Sequence, residues 1–175
     1  MRTGPIRMVL LALCTTAVFA VPSAVGAAPA CTIVGTGGPD DLNGTTGPDV
    51  ICGKGGTDTI DGRGGNDVIY GGPGQDYIVG GLGNDEIDGQ RGGDNIWGGR
   101  GNDLLRGGAG DDQVVGQKGA DRIIGNGGDD YCLSAMDGGG SDVVSGGPGS
   151  DRGDADPGDA VYSTEEVLGF LCYGG

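Results

Sequence analysis

An aspartate returns every nine residues through the middle of the chain: Asp40, Asp49, Asp58, Asp67, Asp76, Asp85, Asp94, Asp103, Asp112, Asp121 and Asp130. Carboxylates at one fixed phase can act together only if the fold stacks them, and a stack of like charges repels unless a cation lies between its members. The rest of each nine-residue unit is equally regular across the eleven units from Gly35 to Leu133. Position one is Gly, from Gly35 and Gly44 to Gly125, and position four is Gly, from Gly38 and Gly47 to Gly128. Position eight holds Leu42, Ile51, Ile60, Ile69, Ile78, Ile87, Ile96, Leu105, Val114, Ile123 and Cys132. A fixed period with fixed chemistry at each phase marks a solenoid.

The elements that must position the aspartates follow from those phases. Glycine at two fixed places permits positive φ, so the first six residues of a unit are expected to form a turn. The last three form a short strand whose middle side chain faces one way and whose neighbours face the other. The position-eight aliphatics are then the inward row. One strand per unit reverses the chain, so two units, 18 residues, make one coil, and coils stack as parallel strands roughly 4.8 Å apart. The expected fold is all-β: a parallel β-roll, or β-solenoid, of nonapeptide repeats. Asp40, Asp58, Asp76, Asp94, Asp112 and Asp130 fall on one edge, and Asp49, Asp67, Asp85, Asp103 and Asp121 on the other. Turn carbonyls are expected to face the same gaps. An irregular cage of oxygen ligands suits Ca²⁺ and suits Mg²⁺ much less.

These units resemble the nonapeptide G-G-x-G-x-D-x-U-x of the haemolysin-type, or repeats-in-toxin (RTX), calcium-binding β-roll family. The likeness covers 99 contiguous residues, 35 to 133. It implies Ca²⁺ held between the turns of units n and n+2, which gives five gaps on one edge and four on the other, about nine sites. Position two departs from the family Gly at Thr36, Thr45, Lys54, Arg63, Gln90, Gln117 and Asn126. Where positive φ is needed there, those turns are less favourable than the ones built on Gly72, Gly81, Gly99 and Gly108.

Residues 1–30 are a separate block. Arg2 and Arg7 precede an apolar run from Met8 to Val21, and small residues follow. That pattern is expected of a secretory signal peptide, and the run is short for a membrane span. Without Arg2 and Arg7 the formal charge of −15 becomes −17. This sign disfavours nucleic acid and anionic membrane as partners, and no membrane insertion is expected after cleavage. The expected location is extracellular.

Four cysteines remain beyond that block: Cys31, Cys52, Cys132 and Cys172. An even count in an exported chain suggests two disulfides, with three connectivities open. Position favours Cys31–Cys52 and Cys132–Cys172, one pair at each end of the roll. With no His and no C-x-x-C, a zinc site has no ligands of the usual kind.

After Leu133 the phase breaks. Three residues, 134–136, are inserted before two decayed units, 137–145 and 146–154, in which Asp142 and Asp151 keep position six and Val144 keeps position eight. The calcium-binding roll is accordingly expected over 31–154. The apolar segment 155–175 is expected to cap the open end of the solenoid, with Ser163 and Glu166 at the spacing of a helix capping box.

One outer face carries Val79, Trp97, Val115 and Leu133 at position nine of alternate units. Such a ladder is expected to be covered by the tail or a sister chain, or to dock a protein or sugar whose identity the sequence does not name. Catalysis finds little support: without His there is no His-dependent triad and no H-E-x-x-H site. The sequence therefore points to a secreted calcium-binding roll, with an extracellular adhesion or interaction scaffold as the alternative.

Overall fold

The computed structural model describes residues 30–134, 140–154, 159–162 and 166–167. The expected signal peptide and Cys172 lie outside these residues. All regular structure among them is β, wound as a solenoid of two parallel sheets. One sheet is β1 (Ile33–Val34), β3 (Val50–Cys52), β5 (Val68–Pro73), β7 (Glu86–Arg91), β9 (Leu104–Ala109), β11 (Arg122–Gly127), β13 (Val143–Ser145) and β15 (Ala160–Tyr162), in that spatial order. The other is β2 (Asp41–Asn43), β4 (Thr59–Asp61), β6 (Tyr77–Leu82), β8 (Asn95–Arg100), β10 (Gln113–Lys118), β12 (Tyr131–Ser134), β14 (Arg152–Asp154) and β16 (Glu166–Val167). Successive strands alternate between sheets, and each pairs with the strand two places on: Ile69 lies beside Ile87, and Ile78 beside Ile96. This is the two-units-per-coil β-roll that the period of nine predicts.

Among the described residues the inward row makes the core. Ile51, Ile60, Ile69, Ile78, Ile87, Ile96, Leu105, Val114, Ile123, Leu133 and Val144 are fully buried, with Ile33, Leu42 and Val161 packed against them. Position eight thus alternates between the two sheets and meets in the middle. Near the C-terminal end the periodicity misplaces one member. Leu133, assigned to the outer face, stands in the buried row where Cys132 was expected. A bulge is the cause: β10 and β12 pair Gln113 with Tyr131 but Val115 with Ser134, so β12 carries one extra residue. The apolar ladder on the outer face therefore ends at Val115.

Mid-roll strands are twice as long as expected. β5 to β11 run six residues, through position three of the next unit, and the turn shrinks to positions four to six. Positive φ is found at position four, as in Gly56, Gly65, Gly83 and Gly92, but not at position one. From Lys54 onward position two takes the left-handed conformation, even where it is not Gly: Lys54 (φ 80°), Arg63 (φ 68°), Gln90 (φ 75°), Gln117 (φ 70°) and Asn126 (φ 75°). Position one instead requires Gly for space. A Cβ on Gly80 would sit 2.5 Å from Asp85 Oδ2 and 2.6 Å from the Gly98 carbonyl oxygen.

The three-residue insertion leaves the stacking intact. β11 pairs with β13, and β13 with β15, so Ala160–Tyr162 continues the first sheet. Glu166 and Val167 form β16 against β14, a strand where the Ser163–Glu166 spacing suggested a helix start. At the other end Cys31 and Cys52 form a disulfide across the first coil, with Cα atoms 5.9 Å apart.

Candidate metal centre

The position-six aspartates form two columns, one at each edge, where the expected phase puts them. Within a column the carboxylates are linked through the backbone. The Asp58 N–H donates to Asp76 Oδ1 at 2.8 Å, Asp76 N–H to Asp94 Oδ1 at 2.8 Å, and Asp94 N–H to Asp112 Oδ1 at 2.8 Å. Asp40 N–H donates to Asp58 Oδ1 and Asp112 N–H to Asp130 Oδ1 in the same way. On the other edge Asp49 N–H reaches Asp67 Oδ1, Asp67 reaches Asp85, Asp85 reaches Asp103, and Asp103 reaches Asp121.

The decayed units join these columns. Asp130 N–H donates to Asp151 Oδ1 and Asp121 N–H to Asp142 Oδ1, each across 21 residues rather than 18. The difference of three is the insertion, absorbed without breaking either column. The second column then gains a member that sequence reading missed. Asp142 N–H donates to Asp159 Oδ1 across 17 residues. The signal was present in Gly158-Asp159 followed by Val161, but one residue is missing from the period there, so a strict nine-residue frame passes over it.

The second carboxylate oxygen is where the site's chemistry lies. Oδ2 of Asp58, Asp67, Asp76, Asp85, Asp94, Asp103, Asp112, Asp130 and Asp151 is buried and accepts no hydrogen bond. A buried carboxylate oxygen without a partner is costly. From Asp58 to Asp130 each of these lies at the position-one glycine of its own unit, beside that glycine's counterpart one coil on. The point 2.5 Å from Asp85 Oδ2 and 2.6 Å from the Gly98 oxygen is one such cradle.

Burial also changes the acidity. Desolvation, opposed in part by the backbone N–H bond and assisted by neighbouring carboxylates, pushes Asp94, Asp103 and Asp112 up to about 7. The same causes raise Asp67 and Asp130 to about 6. Burial raises Asp76 and Asp85 as well.

Among the described residues no three His, Cys, Asp or Glu side chains converge on one point. A cation between two turns would therefore take carboxylate oxygens and complete its shell with backbone carbonyls. That donor set is all oxygen, flexible in geometry and anionic, and it fits Ca²⁺. No helix among the described residues is long and apolar enough to cross a membrane.

On the outer face of the second sheet the Tyr77 and Trp97 rings meet with centroids 4.6 Å apart, and Tyr77 and Tyr131 are about half exposed. Val79, Trp97 and Val115 are half-buried there.

A comparison with curated protein sequences finds no match. The family model described as RTX calcium-binding nonapeptide repeat (4 copies) matches residues 34–69, 53–87, 88–123, 106–135 and 134–161. Together these matches span the roll from its first strand to β15, including the decayed units. With stacked turns, paired aspartate columns and this coverage, the chain is a calcium-binding β-roll and belongs to the RTX calcium-binding nonapeptide repeat family.

Proposed function

We propose that this is a secreted protein whose roll assembles on calcium, with the two aspartate columns from Asp58 and Asp67 onward as the side-chain ligands. Asp142 and Asp151, in the decayed units, belong to the same ligand set. The observation that carries the reading is the row of buried Oδ2 atoms with no hydrogen-bond partner. A divalent ion in each gap supplies the partner and offsets the charge of the column. About nine ions bring a charge of about +18 against −17 beyond residue 30.

The inward row is thin, one aliphatic per nine residues, against an ordering cost of roughly 1–2 kcal/mol per residue. Burial alone does not hold such a chain, so ion binding and folding are one event. Individual affinities on the order of 10⁻⁴–10⁻³ M, as in extracellular modules, fit this design, with cooperative onset because neighbouring gaps share turns. The amino-terminal block, read as a signal peptide, and the Cys31–Cys52 disulfide support an oxidising, extracellular setting.

Far-ultraviolet circular dichroism of the metal-stripped chain, titrated with Ca²⁺ and separately with Mg²⁺, tests this. The β signal is expected to rise cooperatively with Ca²⁺ and poorly with Mg²⁺. A chelated protein that keeps its β signal and melts unchanged would end the proposal.

A second reading has one observation in its favour, the Tyr77–Trp97 ring contact beside the exposed Tyr131. Aromatic rings on a rigid face suit a role as an extracellular interaction scaffold for protein or sugar. Loss of binding to a glycan or protein array in Trp97→Ser, with calcium loading intact, would favour it.

A further inference from the structure

The first coil differs from the coil that follows it in how its aspartates are satisfied. Thr36 donates twice to Asp40 Oδ2, from its backbone N–H at 2.6 Å and from its hydroxyl at 2.9 Å. Thr45 does the same for Asp49 Oδ2, at 2.7 Å and 2.9 Å. Each threonine oxygen in turn accepts from the amide two residues on, Gly38 N–H at 3.2 Å and Gly47 N–H at 3.1 Å. One coil later, position two is Lys54 and Arg63 at positive φ, and Oδ2 of Asp58 and Asp67 is buried with no hydrogen bond.

We infer that Thr36 and Thr45 close the first coil to calcium, so that the ion columns begin at Asp58 on one edge and Asp67 on the other. This rests on the calcium reading given above and adds to it where the metal stops. The cause is local and chemical. A β-branched residue is a poor fit to the left-handed region, so the backbone at Thr36 and Thr45 does not turn as it does at Lys54 and Arg63. The amide then points at the carboxylate, and the hydroxyl adds a second charge-assisted bond. An ion entering this gap would have to displace both bonds from an oxygen that already has its partners.

The arrangement gives the roll an amino-terminal end that needs no metal. The Cys31–Cys52 disulfide spans the same coil, and the Thr32 hydroxyl accepts from Val50 N–H at 2.9 Å. Covalent and hydrogen bonds hold at this end what ions hold in the interior.

Equilibrium dialysis of the full metal-stripped chain against Ca²⁺ tests the inference by counting bound ions. The double variant D40N/D49N should bind as many ions as the wild type, whereas D58N/D67N should bind fewer. T36G/T45G should bind about two more. A loss of ions in D40N/D49N overturns the inference, as does a folded T36G/T45G, checked by circular dichroism, that gains none. If T36G/T45G does not fold, the contrast between D40N/D49N and D58N/D67N decides alone. A wild type that takes up no calcium removes the proposed function and this inference together. A wild type that loads normally while D40N/D49N loses ions removes only the inference.

Discussion

The backbone N–H of Asp85 donates to Oδ1 of Asp103, one coil further on, at 2.9 Å, while Oδ2 of the same Asp103 is buried and accepts nothing. One carboxylate therefore has two duties. Its first oxygen ties adjacent coils together, and its second faces the gap where a cation is expected. Asp103→Asn keeps the shape and the first duty and removes the charge needed for the second. In saturating calcium this variant should lose stability on the order of 3 kcal/mol, the scale for breaking a buried ion pair. In chelator it should be no less stable than wild type, because the charge that repels its neighbours is gone. Thermal melts in both conditions check this, and equal loss in both would show that the Asp103 charge does not act through calcium.

Acid should partly replace calcium. Burial holds Asp94, Asp103 and Asp112 at about 7 and Asp67 and Asp130 at about 6 in the metal-free roll, against about 3.9 for an unfolded aspartate. The folded chain thus binds more protons than the unfolded chain between these values, and its stability falls as pH rises. That stability is fully present below about pH 4 and is lost as pH passes through 6 to 7. Circular dichroism of metal-stripped protein should show β structure growing as pH is lowered from 8 to 5. Calcium affinity should weaken over the same range, with protons released on binding. A metal-free β signal that is flat or falls on acidification would contradict this.

The Cys31–Cys52 bridge closes a loop of 21 residues. Replacing both cysteines with Ser should cost about 3 kcal/mol, the loop-entropy scale for that length, read as a lower melting temperature in calcium. Mass spectrometry of the unreduced digest should return the Cys31–Cys52 peptide. The same digest tests the expected Cys132–Cys172 pair, and a Cys52–Cys132 peptide would exclude both.

Glycine substitutions should separate space from backbone conformation. Gly80 is not in the left-handed region, so a Cβ there would ordinarily be mildly stabilising. Because that Cβ would meet Asp85 Oδ2 and the Gly98 oxygen, Gly80→Ala should instead destabilise the roll and lower calcium uptake. Gln117 has φ 70°, so Gln117→Gly should stabilise the loaded protein by roughly 1 kcal/mol, the cost of a left-handed side chain. Chemical denaturation in calcium measures both signs, and the opposite order would refute the assigned roles.

The sequence by itself determined the roll: a period of nine, an inward aliphatic at Ile51 through Ile123, and aspartates sorted by 18 into two columns. These were legible because a solenoid repeats local rules, so register follows from counting. What counting could not supply was anything depending on the next coil. The period gave Leu133 to the outer face, but a bulge against β10 turned it into the core. It passed over Asp159, whose place shows only through its bond to the Asp142 amide. Position-one glycines looked like turn residues, yet a carbonyl from the neighbouring coil is what excludes a side chain there. Thr36 and Thr45 looked like lapses from the repeat, and only the fold brings their amides and hydroxyls onto Asp40 and Asp49. Periodicity specifies the phase of each residue within its own unit. Contacts between coils decide which oxygen is satisfied and which is left for an ion.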